Sequence, residues 1–228
     1  MKGETNISTD DSRAAHEGAW NAMQYANRIA TTKSLPPWER VVQRINTLII
    51  GPSIVPEHRR AFAGQYRKTN AYILGAGVET SPWLQLGEDM FLYGSQMDER
   101  IKKTKRGAEN IGTFLDTIAW AHYELVKIHP FIDGNGRTAR QGMDLLSKHF
   151  GVKSIILGPV HKNGYFSALE RVNQSGNLDH LTLFLAAQLW KEYIRSPKPE
   201  DQAYAFYIKQ KVTELNLNIY AKSKPARR

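Results

Sequence analysis

The sequence predicts a mainly α-helical fold with one short β-hairpin, and three observations predict it. Apolar residues recur every three or four positions through most of the chain. Proline, glycine and small polar residues punctuate those stretches. One glycine-containing segment, residues 67–78, carries no helical stripe. The bulk numbers agree: 228 residues, 41% hydrophobic and 23% charged, suffice for one domain with a real core.

The elements follow in chain order. Ser8-Thr9-Asp10-Asp11 supplies cap-type residues ahead of Trp20, Met23 and Ile29 at roughly helical spacing. Ser34-Leu35-Pro36-Pro37 opens a second helix with Trp38, Val41, Ile45 and Leu48 on one face, and Gly51-Pro52 stops it. Arg67 to Val78, with β-favouring residues and two glycines, reads as the hairpin. Ser81-Pro82 is a cap followed by proline at the first helical position. From there Trp83, Leu86, Met90, Tyr93, Met97 and Ile101 repeat until Gly107. A helix from about Thr113 carries Ile118, Leu125 and Ile128. The next, from Arg137, carries Ala139, Met143, Leu146 and Phe150 and ends at Gly151. Leu178 to Ile194 and Ala203 to Ile219 give two more. Trp20, Trp38, Trp83, Trp120 and Trp190 fit these stripes and read as core.

Composition excludes several functions. There are no cysteines, so neither a disulfide framework nor a thiolate metal site can form. The first residues are polar and no apolar run reaches the length of a membrane span, so the expectation is a cytoplasmic protein with no membrane partner. A net charge of +9 favours anionic partners. The basic runs Arg100 to Arg106 and Lys222 to Arg228 read respectively as a helix end and a solvated tail, which disfavours nucleic acid as partner.

Residues 129–140 carry the chemistry. Pro130 discourages continuation of the preceding helix. Gly134-Asn135-Gly136 makes a tight turn able to aim backbone N–H groups at an anion, and it opens the next helix, where the dipole favours phosphate. Arg137 and Arg140, three residues apart, share one side of that first turn and can clamp phosphate oxygens. Asp133 is a hard oxygen ligand suited to magnesium. His129 is the one side chain of the segment that accepts a proton near neutral pH. A polyphosphate cradle, a cation ligand and a base within twelve residues match phosphoryl or nucleotidyl transfer.

His129-Pro130-Phe131-Ile132-Asp133-Gly134-Asn135-Gly136-Arg137-Thr138-Ala139-Arg140 resembles the Fic family signature, His-Pro-Phe-x-[Asp/Glu]-Gly-Asn-Gly-Arg-x-x-Arg, at every specified position. The resemblance includes Ala121-His122-Tyr123-Glu124, Lys127-Ile128 and Gly64-Gln65-Tyr66-Arg67, and spans about residues 64–195. It implies a Fic-type helical bundle with a β-hairpin flap over the active site. The implied activity is protein adenylyltransfer, in which AMP passes from ATP to a Ser, Thr or Tyr hydroxyl, with self-modification included. By resemblance, His129 would be the catalytic base and Asp133 would hold Mg²⁺. Gly134, Asn135, Gly136, Arg137 and Arg140 would bind the phosphates. The flap residues Thr69, Asn70, Ala71, Tyr72, Ile73 and Leu74 would dock the protein target by strand addition. Tyr165 would stand near the adenine, or else be a core aromatic at a helix start.

The family also implies an inhibitory helix of pattern [Ser/Thr]-x-x-x-Glu-[Gly/Asn]. Glu17-Gly18 fits its end, although Arg13 replaces the Ser/Thr, and Glu17 would pair with Arg140. Ser53 to Glu57 and Ser196 to Glu200 share the spacing, but Pro56, Pro197 and Pro199 argue against helices there. The expected division is 1–32 inhibitory helix, 33–197 core, and 198–228 C-terminal helix and basic tail. Alternatives are de-adenylylation, transfer of UMP, phosphate or phosphocholine, a non-catalytic interaction module, and a basic nucleic-acid binder. A homodimer stays open. A zinc site of His122, His129 and Asp133 has allowed ligands but lacks the His-Glu-x-x-His pattern, and His122 reads as a core histidine.

Overall fold

A computed structural model describes residues 12–73 and 78–223. Nine α-helices lie within those residues: α1 (Ser12–Ala30), α2 (Trp38–Ile50), α3 (Pro56–Phe62), α4 (Leu86–Lys103), α5 (Ile111–Ile128), α6 (Asn135–Phe150), α7 (Lys162–Ser175), α8 (Asp179–Ile194) and α9 (Pro199–Ser223). The cap expected at Ser8 to Asp11, flap residue Leu74 and the tail from Lys224 lie outside the described residues.

Helix α5 is the central element. Its sequence is apolar on nearly every face and its flanks meet α4, α6, α8 and α9, as an all-round hydrophobic helix must be covered on all sides. The stripe of α2 is buried against α1, α4 and α6. Its first residue, Trp38, donates its indole N–H to the Tyr93 hydroxyl at 2.9 Å, and that hydroxyl donates to the Ala121 carbonyl at 3.0 Å. One buried relay thus ties α2, α4 and α5 without leaving a polar group unpaired.

Helix α1 folds back along α2 and α6. The crossing is closest at Gly18, where a Cβ would stand 2.1 Å from the Ile49 carbonyl oxygen, so only glycine fits. Near the other end of α1, the Ala30 carbonyl accepts from the His149 ring at 3.1 Å. These two contacts set α1 antiparallel to α2 and parallel to α6. Its first turns therefore lie at the end of the bundle where α6 begins.

Three expectations change. No strand ladder forms among the described residues of 67–78. The segment instead closes through the Thr80 hydroxyl, which donates to the Ala71 carbonyl, and through an isolated antiparallel bridge from Tyr66 to Phe131. Trp20 and Trp83 are 59% and 40% exposed, whereas Trp38 is buried and Trp120 and Trp190 pack against the core from its edge. Pro56 and Pro199 each open a helix, because a first-turn residue needs no N–H partner, although no single helix spans Ser53 to Glu57 or Ser196 to Glu200.

Candidate functional site

The site forms where α5 ends and α6 begins. His129 caps α5 in the left-handed region, φ 52° and ψ 55°, the one positive φ among described non-glycine residues. The turn it makes leaves the carbonyls of Ile128, His129 and Pro130 without helical partners. All three are taken by one residue. Arg67 reaches the Ile128 carbonyl with Nη2 (3.3 Å), the His129 carbonyl with Nε (2.7 Å) and the Pro130 carbonyl with its backbone N–H (2.8 Å). The next residue, Phe131, gives both its N–H and its C=O to the Asn135 side chain, at 2.9 and 2.8 Å. Residues 128–131 are thereby fixed from outside and from ahead.

Asn46 of α2 holds the rest of the turn. Its amide donates to the Asp133 carbonyl (2.9 Å) and the Thr138 hydroxyl (3.2 Å), while its carbonyl accepts the Gly64 N–H (3.1 Å). It is fully buried, so each of these bonds replaces water that cannot reach it. Gly134, at φ 78°, lies flat against this anchor. A Cβ there would meet Ile50 Cγ2 at 2.7 Å and Asn46 Nδ2 at 3.1 Å.

The structure brings the twelve motif residues together. Gly134 caps α6 without a side-chain acceptor, so the first-turn amides of Asn135, Gly136 and Arg137 precede the first helical bond, from the Thr138 N–H to the Gly134 carbonyl. The Asn135 side chain faces the loop it locks, so any phosphate contact from this residue comes through its backbone. Asp133 accepts the Gly134 N–H through Oδ1 and pairs with Arg137 through Oδ2 at 2.7 Å. Arg140 is exposed. A methyl group on Gly136 would stand 3.5 Å from its Nη1, which places the guanidinium over the α6 first turn.

The His129 ring settles its own tautomer. Nδ1 lies 3.2 Å from the Val126 carbonyl, an acceptor only, so Nδ1 carries the hydrogen and Nε2 keeps its lone pair. Burial lowers the His129 pKa below its ordinary value; the Val126 bond and Asp133 oppose that shift and Arg67 reinforces it.

Beside Arg140 opens a cleft of about 480 Å³, lined with Tyr165, Phe166, Leu157, Pro159, His161 and Lys162 among others. Tyr165 is half-buried there, its hydroxyl 2.6 Å from Nε2 of the fully buried His122. His122 therefore spans α5 and α7 and does not join His129 and Asp133. No group of three or more metal-ligating side chains occurs among the described residues.

Glu17 is exposed on α1 and lines a different cavity with Arg59 and Arg60. Among the described residues, no ion pair joins it to Arg140. Of the flap residues, Thr69, Asn70 and Tyr72 are exposed while Ala71 and Ile73 are half-buried.

Sequence reasoning missed Asn46 and the role of Arg67. A signal existed for the first: an asparagine beside Ile45 on an apolar stripe must find buried partners.

The sequence profile of the Fic/DOC family matches residues 34–147. The protein named protein adenylyltransferase Fic of Culex quinquefasciatus is 41% identical over 172 residues, covering 72% of this chain and 30% of that protein. Its namesake in Drosophila yakuba is 30% identical over 155 residues, 64% of this chain and 28% of that protein. The chain thus spans about three tenths of the length of these curated relatives. Two solved structures share the fold. Fic-1 (aa134–508) of C. elegans has a TM-score of 0.62 at 20% identity, covering 93% of this chain and 55% of that one. BepC of Bartonella tribocorum, with bound AMPPNP, has a TM-score of 0.57 at 14% identity, covering 77% and 86%. With the profile spanning Gly64, Arg67 and the whole of residues 129–140, the chain belongs to the Fic/DOC family.

Proposed function

We propose that the chain is a protein adenylyltransferase that moves AMP from ATP to a hydroxyl side chain of a protein, itself included. The observation that carries this reading is the His129 ring, whose Nδ1 is committed to Val126 while Nε2, among the described residues, has no partner, six residues before an uncapped helix start. A neutral base and a phosphate cradle are thereby held by one turn. The names of the relatives point the same way.

In this reading Nε2 of His129 takes the proton of the target hydroxyl. The oxygen bonds to the α-phosphorus, the bond from that phosphorus to the bridging oxygen breaks, and pyrophosphate leaves. The amides of Asn135, Gly136 and Arg137, with the Arg137 and Arg140 guanidiniums, carry the charge that develops on the phosphates. The cleft beside Arg140 would take the base, with Tyr165 on its wall.

Asp133 fits magnesium. It is half-exposed, and a carboxylate that accepts one N–H at each oxygen still has lone pairs to share. Magnesium, when bound, neutralises phosphate charge. The exposed flap residues Thr69 to Ile73 would pair with an extended target segment, orienting its hydroxyl while reading little sequence.

Glu17 is assigned to regulation. The Gly18 crossing sets it at the same end of the bundle as Gly134, since Ile49 touches both glycines. An exposed glutamate reorients on the nanosecond scale, and engaging Arg140 would compete with a terminal phosphate. The test incubates wild type, Glu17→Gly and His129→Ala with α-labelled ATP, Mg²⁺ and a cell lysate. Expected are added AMP by mass spectrometry, more label with Glu17→Gly and none with His129→Ala. An added mass other than AMP would replace the chemistry.

A further inference from the structure

We propose that Arg67 is a positioning residue that hangs the general base and both limbs of the flap from one buried guanidinium. Target docking and proton acceptance then share a single anchor. The proposal rests on the reading of His129 as base.

Arg67 is 5% exposed, and among the described residues its guanidinium donates to main-chain carbonyls. A buried cation ordinarily sits beside a carboxylate, because desolvating a charge is costly. Here the compensation comes from a fan of dipoles. Nη1 donates to the Thr69 carbonyl on the outgoing flap limb, at 2.6 Å. Nη2 donates to the Ser81 carbonyl on the returning limb, at 2.5 Å, and to Ile128. Nε holds the His129 carbonyl, in the peptide that fixes where the imidazole stands. The planar fork is what makes this possible, since lysine's three donors leave a single nitrogen and cannot span carbonyls on three segments at once.

The arrangement has a mechanical meaning. Displacement of either limb pulls on the guanidinium, and the guanidinium grips a residue already in a strained left-handed conformation. The phosphate cradle is anchored elsewhere, by Asn46 and Asn135. Loss of Arg67 should therefore leave nucleotide binding and remove catalysis.

The test compares wild type, Arg67→Lys and Arg67→Met. Expected are Mg²⁺–ATP affinity and KM for ATP within roughly threefold of wild type and kcat for transfer down roughly a hundredfold in both variants, the scale of a misplaced reacting group. Lysine should fail to rescue although the charge is kept. Chymotrypsin should cut faster after Tyr72, which is already exposed. In the unmodified protein the Arg67 Nε–H should give a slowly exchanging NMR resonance, a measurement that needs no variant to fold. Transfer by Arg67→Met at the wild-type rate would overturn the proposal. So would an Nε–H exchanging as fast as that of a surface arginine. If wild type transfers nothing, the adenylyl reading fails, and proteolysis and exchange still decide whether Arg67 anchors the flap.

Discussion

The Asn46 amide donates to the Asp133 carbonyl at 2.9 Å, across 87 positions of sequence. The same side chain reaches Thr138 and Gly64, so one residue of α2 joins the Asp133 loop, the first turn of α6 and the glycine ahead of Arg67. Asn46→Ala would strand three buried polar groups, each costing about 1–3 kcal/mol. The expected loss is about 3 kcal/mol in urea unfolding, with Mg²⁺–ATP binding weakened roughly tenfold by calorimetry. Binding at wild-type strength would show that the loop keeps its shape without Asn46.

Activity should depend on pH through His129. Its pKa is lowered from the ordinary 6.5, chiefly by burial, so the imidazole is neutral and able to accept a proton at pH 7. The rate should be level near neutrality and fall with acid through a midpoint below 6.5. A profile of kcat/KM against pH with its acid limb centred above 6.5 would contradict the assignment of His129 as base.

Stability should respond to a different histidine. Burial, and then the charge of Arg140, push His122 down to about 3. Between pH 6.5 and about 3 the unfolded chain binds a proton at this residue and the folded chain does not. The stabilisation from keeping His122 neutral is thus full above 6.5 and is lost as pH falls, by about 1.4 kcal/mol per pH unit. The stability difference between wild type and His122→Gln, measured by urea unfolding at several pH values, should shrink with that slope. A difference flat from pH 6 to 4 would mean that His122 is not the buried neutral group described.

The α1 crossing offers a test of regulation separate from the carboxylate. Gly18→Ala places a methyl group 2.1 Å from the Ile49 carbonyl oxygen, so α1 must lift from α2. Such overpacking should cost about 2 kcal/mol and lower Tm. If Glu17 acts from this helix, Gly18→Ala should also raise transfer, as Glu17→Gly does. A lower Tm with transfer unchanged would separate α1 from control of the site.

Sequence periodicity foresaw α2, α4, α5, α6 and α8 because each buries a regular apolar face. It missed α3, which has no buried residue, and found no stripe for α7 beyond a helix start at Tyr165, because the buried face of α7 is only Ala168, Leu169 and Val172. The cradle was legible because its parts are consecutive and α6 needs only local glycine conformations to form it. What holds the cradle in place was not. The Asn46–Thr138, Arg67–His129 and His122–Tyr165 contacts join residues 43 to 92 positions apart, a distance that no periodicity encodes. Trp20 fitted a stripe, yet it is 59% exposed and no described element covers it.

The left-handed turn at His129 bears on how an inactive version of the protein should be made. Helix ends in this conformation prefer glycine, and any side chain there costs about 1 kcal/mol. Alanine at 129 removes the base and keeps the strain; glycine removes both. His129→Gly should therefore unfold about 1 kcal/mol later than His129→Ala while being equally unable to transfer AMP. For capturing a bound target over hours, glycine gives the longer-lived trap. If His129 is the base, chemistry rather than folding keeps an imidazole at that corner.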